Sequence, residues 1–513
     1  MFVKSFAGAI VGIDALCVTV EANVAESGVG LWLVGLPDNA VKESQERIRS
    51  AFENSGLTMP GRKMVVNLAP ADLRKEGAAF DLPIAVGILA ASGQIASERL
   101  SETMILGELS LNGEVSAIKG ALPLALAAKE LGFRRIVLPQ ANCVEAAVVE
   151  GVDVLGVESL QQLAEWFNGF VELEPTRVDL SEAMESQAVE AYAEDFADVK
   201  GQRQVKRAFE IAAAGGHNIV MIGPPGSGKT MLSRRMPSIL PPLELGEALE
   251  TTKIYSVAGK LSTKGGVMYN RPFRAPHHLT SQVALIGGGA SPQPGEVSLA
   301  HNGILFLDEL PEFGRNVLEV LRQPLEERSI TISRAKYTVE YPADFTLVAS
   351  MNPCPCGYYN HPTKECSCSP GAVHRYLGRI SGPLLDRIDL HVEVAPVSIA
   401  QMSDEGVEES SREIRRRVVA ARERQRARFE GLAVRTNAAM NSRMLREFCP
   451  LDVSSRKMLE MAMERLQLSA RAYDRIIKVA RTIADLGGEE SIKSVHIAEA
   501  IGYRSLDRDN WGR

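Results

Sequence analysis

Residues 218–232 read NIVMIGPPGSGKTML: an apolar strand pattern runs into a glycine-rich turn and leaves it as a helix. A strand that hands its C-terminal end to a helix through Gly223, Pro224, Pro225, Gly226, Ser227, Gly228, Lys229 and Thr230 belongs in a parallel sheet covered by helices. The glycines let backbone N–H groups converge on an anion. Lys229 reaches β- and γ-phosphate oxygens, and the Thr230 hydroxyl is placed for a Mg²⁺ shell. The pattern therefore predicts an α/β core that binds a nucleoside triphosphate.

Two further apolar runs fit the same sheet. GILFLDELPEF (303–313) ends a buried strand in Asp308 and Glu309, one acid to hold Mg²⁺ and one to polarise an attacking water. By itself this would be a strand ending in a solvated acidic turn; behind a phosphate loop it reads as the second half of an ATPase site. FTLVASMNP (345–353) ends at Asn352, which could touch both γ-phosphate and water, and which alone would be a turn residue before Pro353.

At 513 residues the chain is too long for one core, and with 45% hydrophobic and 24% charged residues it has the material for several. A formal net charge of −7 excludes a protein that coats nucleic acid by bulk charge, so any polyanion site is local. The first residues carry Asp14 and Glu21 within their apolar pattern and read as strands rather than a signal peptide, and no run reaches the length of a membrane span. A cytoplasmic protein is expected. Residues 1–170 alternate strands with Ala-rich helices, 171–198 form an acidic linker, 199–400 hold the nucleotide motifs, and 401–513 read as helices alone.

Within the third segment, two β-branched runs, Ile330–Ile332 and Tyr337–Tyr341, flank Arg334 and Lys336, the signature of a basic β-hairpin. Together with FRAPHHLTSQVALIGGGASPQPGEVSLAHNGILFLDELPEF (273–313), these residues resemble the magnesium-chelatase-like branch of the AAA+ ATPases. Over nearly its whole length the chain is similar to the YifB/ComM family of that branch. The resemblance implies ATP and Mg²⁺ as cofactors and a homo-oligomeric ring, expected as a hexamer. It also implies a C-terminal helical lid, an arginine finger at Arg387 (LLDRIDL) and a sensor arginine at Arg471 on the lid. Either cation would oppose the charge that develops on phosphate. Without the resemblance, Arg387 would be an arginine ion-paired with Asp386 or Asp389.

The first segment is similar to the proteolytic domain of Lon. Where that family carries its serine nucleophile this chain has Ala79, and the lysine position falls near Leu122, leaving Lys119 as the nearby amine. Alanine has no lone pair with which to attack a carbonyl, so a guiding or assembling role is expected. Lys42, Arg47 and Arg49 form a basic patch there that reads either as a DNA contact or as an ordinary solvated helix face.

Cys354-x-Cys356 and Cys366-x-Cys368, nine residues apart, supply four of the seven cysteines. Four thiolates could close a tetrahedral structural Zn²⁺ site, with His361 as a substitute ligand; free thiols and a redox pair are the other readings. For the whole chain two functions compete. One is an ATP-driven motor on single-stranded or branched DNA, with Arg334 and Lys336 gripping phosphates in a ring pore and recombination proteins as partners. The other is a chelatase-type remodeller of a metal-inserting protein. The cationic hairpin tip, the glycine-rich insert 285–301 and the arginine stripe 412–429 favour DNA, although the stripe reads equally as a solvated helix with Glu413 and Glu423 pairing locally. Resemblance to ComM implies branch migration of recombination intermediates.

Overall fold

The computed structural model describes residues 1–73, 75–179, 194–261, 266–289, 292–334, 337–361, 363–397, 406 and 408–504, and at 334 and 337 the backbone alone. By packing, the chain divides into one unit of Met1–Val189 with Glu244–Tyr269 and a second of Glu190–Leu243 with Asn270–Arg513.

The first unit is built on a seven-stranded mixed sheet. Its order is Gly30–Val34, Lys63–Ala69, Asp14–Val24, Phe2–Val11, Thr103–Ile105, Arg135–Pro139 and Asp153–Val157. Phe2–Val11 and Asp14–Val24 pair antiparallel, and the strands from Phe2–Val11 to Asp153–Val157 run parallel. Helix Asp81–Ala91 is buried at every residue, because DLPIAVGILAA carries no polar face beyond its first acid. Burial pushes the Asp81 carboxyl up, against the Arg47 guanidinium that donates to it at 2.6 and 2.9 Å. Arg47 is thus committed inside the unit, and Arg49 pairs with Glu46 at 3.5 Å; of the expected basic patch, neither arginine stands alone. Ala79 sits in the short 3₁₀ turn Ala78–Phe80, and Leu122 is buried in helix Ala121–Glu130. Helix Leu245–Ala258, which lies inside the 199–400 span in sequence, packs in this unit: Ser256 O accepts from Gly120 N at 3.2 Å and Lys253 pairs with Asp14 at 3.0 Å.

The second unit holds a five-stranded, all-parallel sheet in the order Phe273–Arg274, Ile304–Leu307, Thr346–Met351, Ile219–Ile222, Leu390–Glu393. The central strands are buried throughout, which is why they read as unbroken apolar runs. Helices Arg203–Gly215 and Lys229–Ile239 cover the sheet, and helices follow from Ser411–Arg428 to Ser494–Gly502. Part of the arginine stripe is engaged within this unit. Arg417 pairs with Glu210 and Glu409, Arg428 pairs with Asp485 at 2.5 Å, and Arg422 donates to Ala213 O at 2.8 Å. No helix among the described residues is long and apolar enough to cross a membrane.

Candidate active site

The parallel sheet brings three strand ends together. Ile219–Ile222 delivers the glycine loop, Ile304–Leu307 delivers Asp308 and Glu309, and Thr346–Met351 delivers Asn352. Gly226 and Gly228 have φ of 78° and 85°, values that an L side chain resists, so the loop folds back over itself without strain. Ser227 Oγ is buried there with no hydrogen-bond partner among the described residues. Lys229 Nζ donates to Gly223 O at 2.7 Å, Pro224 O at 3.0 Å and Asn352 Oδ1 at 3.2 Å. Burial pushes the lysine's pKa down, while the charges of Asp308 and Glu309 oppose that shift.

Thr230 Oγ1 donates to Asp308 Oδ2 at 2.7 Å, and Ser350 Oγ donates to the other carboxylate oxygen. A hydroxyl and a carboxylate side by side are the few protein oxygens that Mg²⁺ takes when waters and phosphates complete its shell, so these residues fit the ion. Glu309 has a left-handed backbone, φ 53°, stabilised by its own N–H donating to Asp308 Oδ1 at 3.1 Å. Its half-exposed carboxylate lies 3.5 Å from His278 Nδ1. Thr230, Asp308, Glu309, His277 and His278 line one cleft of about 830 Å³, with Arg234 and Arg271 also on its wall.

The two expected arginines lie elsewhere in the unit and do not line that cleft. Arg387 is 4% exposed and binds Glu326 at 2.5 Å, not Asp386 or Asp389, and donates to Pro383 O at 2.5 Å. Glu326 is held below the usual carboxylate range, first by its hydrogen bond from Arg387 and then by the charges of Arg387, Arg471 and Arg475. Arg471 is exposed at the start of helix Ala470–Leu486.

The hairpin forms as Ser329–Arg334 paired with Tyr337–Pro342. Ile330, Ile332, Val339 and Tyr341 are buried, and Tyr341 donates to Pro292 O at 2.8 Å, which ties the hairpin to the glycine-rich insert. Lys336 and the side chain of Arg334 lie outside the described residues.

Cys354, Cys356, Cys366 and Cys368 place their Sγ atoms all within 4.8 Å of one another, a donor set compatible with Zn²⁺. His361 is not among them. Its Nδ1 accepts from the N–H groups of Thr363 and Lys364 at 3.2 and 3.1 Å.

Three residues of these clusters escaped the reading of the sequence. Ser350 is hidden inside an apolar strand, where its alternation with buried neighbours gives no polar signal. Glu326 sits in an unremarkable acidic run. His278, within the 273–313 stretch, announces itself only as half of a His-His pair.

The family model described as "Magnesium chelatase, subunit ChlI" matches residues 195–402, that for "Subunit ChlI of Mg-chelatase" matches 20–142, and its C-terminal counterpart matches 408–504. The competence protein ComM of Haemophilus influenzae is 44% identical over 98% of this chain and 97% of its own length. The uncharacterised YifB protein of Escherichia coli is 45% identical over 98% and 96%. The magnesium-chelatase 38 kDa subunit of Cereibacter sphaeroides is 25% identical over 39% of this chain and 58% of its own length. A mixed α/β chain carrying these three matched segments, and similar from end to end to such relatives, belongs to the YifB/ComM family of magnesium-chelatase-like AAA+ ATPases.

Proposed function

We propose that this ATPase is a ring-forming DNA motor that drives branch migration or strand separation on recombination intermediates in the cytoplasm. The observation that carries the reading is the extent of similarity: the relative named for competence matches 98% of the chain, whereas the magnesium-chelatase subunit matches 39%. The first unit is therefore part of what this chain shares with the competence relative. In this reading residues 1–170 are a Lon-like domain without a nucleophile, 171–198 a linker, 199–400 the motor and 401–513 a helical lid.

In the motor, Gly223–Thr230 cradle the phosphates of ATP and Lys229 exchanges its carbonyl partners for phosphate oxygens. Thr230 and Asp308 would hold Mg²⁺, which supplies charge compensation on those oxygens. Glu309 accepts a proton from the attacking water while Asn352 orients it against the γ-phosphate. Arg387 acts as an arginine finger at the nucleotide of a neighbouring subunit in a hexameric ring, and Arg471 acts as a sensor arginine on the lid. Arg334 and Lys336 at the hairpin tip contact backbone phosphate, and the four thiols are a site for structural Zn²⁺.

The test is the rate of Mg²⁺-dependent ATP hydrolysis with no DNA, single-stranded DNA and a four-way junction, alongside junction dissociation. Stimulation by DNA and ATP-dependent dissociation are expected. Hydrolysis indifferent to DNA, with junctions left intact, overturns the reading in favour of a protein remodeller.

A further inference from the structure

The residues that follow Asn352 are poorly equipped to hold a shape. From Pro353 to the start of helix Pro370–Leu377 the described residues form no strand or helix, and only Pro353, Cys354 and Gly357 among them are buried. A stretch this polar has no core of its own. Its fixed points are sulfur. Cys354 Sγ lies 3.3 Å from Cys356 Sγ and 3.6 Å from Cys366 Sγ, and the latter two are 3.5 Å apart. A Zn²⁺ bound to four thiolates at about 2.3 Å has tetrahedral edges of about 3.8 Å, so a small adjustment of the set around one ion closes the site.

The same stretch touches the phosphate loop at two places. At one end, two residues before Cys354, Asn352 Oδ1 accepts from Lys229 Nζ at 3.2 Å. Beyond Cys356, Gly357 has φ 83° and lies so close to Pro225 that a Cβ on it would fall 2.7 Å from Pro225 Cγ. The turn that sets Gly357 there is closed by its own N–H donating to Cys354 O at 3.0 Å. Cys356 and Cys366 thus bracket the residue that abuts the loop, and the crevice between the two segments is lined by Gly223, Pro224, Pro353 and Gly357.

We propose that Cys354, Cys356, Cys366 and Cys368 bind one Zn²⁺ and that this centre braces the phosphate loop through Gly357, so that metal occupancy sets the affinity for nucleotide. Binding releases the thiol protons to solvent and leaves four thiolates on the ion. With the metal gone, the stretch loses its metal cross-link, Gly357 no longer backs Pro225, and the loop samples conformations that cannot close on phosphate. If the competent fraction falls to about a tenth, the apparent Kd rises about tenfold.

The coupling rests on the reading of Gly223–Thr230 as the phosphate loop, whereas the metal site does not. The experiment measures both. Protein purified without chelator is assayed for metal, and its Kd for a fluorescent ATP analogue with Mg²⁺ is compared before stripping, after stripping and after Zn²⁺ is returned. One zinc per chain, a rise of about tenfold in Kd on stripping and recovery on return are expected. Cys354→Ser with Cys366→Ser should lose zinc and show the stripped Kd; should that variant fold poorly, Gly357→Val should keep zinc yet bind nucleotide weakly. Metal-free protein that also fails to develop thiolate charge-transfer absorption with Co²⁺ overturns the site. Stoichiometric zinc with a Kd unmoved by stripping overturns the brace alone. Wild-type protein with zinc but no nucleotide binding in any state overturns the phosphate-loop reading and the brace, and leaves the site standing.

Discussion

Arg387 holds its guanidinium 2.5 Å from Glu326. If Arg387 serves a neighbour's nucleotide as proposed, it must exchange that carboxylate for phosphate, and Glu326 would hold the cation until a subunit interface offered a stronger anion. Arg387→Ala should leave nucleotide affinity of a lone subunit unchanged and reduce hydrolysis in the assembly by about a thousandfold. Mixing with Lys229→Ala subunits, which retain Arg387, should restore part of the rate. An Arg387→Ala protein that hydrolyses normally, or that mixing leaves inactive, would argue against action in trans.

In the proposed motor, Lys229 serves binding and Glu309 serves chemistry, which two variants can separate. Lys229→Ala removes the charge that meets the phosphates and should abolish ATP binding. Glu309→Gln keeps shape and size but cannot accept a proton; ATP should bind with near-normal Kd while hydrolysis drops by at least about a hundredfold. Equilibrium binding measured beside steady-state hydrolysis distinguishes the two, and equal loss of binding in both variants would contradict these roles.

Ser350 fixes one oxygen of Asp308 while Thr230 fixes the other. Ser350→Ala frees the carboxylate to rotate away from the position that suits Mg²⁺, at a cost of about 1.5–3 kcal/mol for a hydrogen bond to a charged group. The Mg²⁺ concentration for half-maximal hydrolysis should rise roughly tenfold, with little change in rate at saturating Mg²⁺. An unshifted Mg²⁺ titration would show that Ser350 has no such part.

His217 and His391 are both fully buried, and burial lowers the pKa of each. Lys478 and Arg422 add to the effect at His217, as do Arg504 and Arg475 at His391, while Asp389 opposes it at both. The folded chain therefore keeps both neutral where the unfolded chain takes up protons. Stability is lost as pH falls through about 6.5, by up to about 1.4 kcal/mol per histidine for each pH unit. Asp389, whose carboxyl is held far below its usual range with the charge of Arg475 as the largest stabilising influence, stays ionised and contributes no change across this window. The thermal midpoint should be lower at pH 5.5 than at pH 7.5; a flat or opposite trend would refute the assignment.

Arg334→Ala with Lys336→Ala should spare ATP binding and ring formation but weaken DNA binding similarly for unrelated sequences. The slope of log affinity against log salt should become shallower by somewhat under one unit for each DNA phosphate that the variant no longer neutralises. Unchanged affinity, salt slope and junction dissociation would remove the hairpin from the DNA interface.

How much of this is readable in the sequence follows from the range of each interaction. The phosphate loop, Asp308, Glu309 and Asn352 are legible because each stands at the end of an apolar strand, and a parallel sheet gathers such ends on one side. The cysteine set is legible from spacing alone, yet its contact with Pro225 is not, since nothing in CPCG says what Gly357 must lie against. Arg387 shows the limit most clearly. Its local acids, Asp386 and Asp389, are the natural partners in the sequence, and Asp389 instead binds Arg475 while Arg387 takes Glu326, sixty-one positions away. Two arginines of the stripe behave in the same way: Arg417 pairs with Glu210 and Arg428 with Asp485 only after the helices pack.

The first unit is discontinuous in sequence. Helix Leu245–Ala258 supplies Ser256, which donates to the half-buried Glu145, and Glu145 in turn accepts from Leu122 N at 2.9 Å. Residues 1–170 expressed alone would uncover Glu145 and the apolar side chains around Leu249, and the remainder of the chain would carry that helix with nothing to cover it. A cut in the acidic stretch thus does not free two intact modules, and loss of activity after such a cut reports a wounded core rather than a missing function. Because the polypeptide leaves the second unit after Leu243 and re-enters it at Asn270, the first unit is assembled from two separate stretches of chain, and a boundary drawn at residue 170 divides its interior.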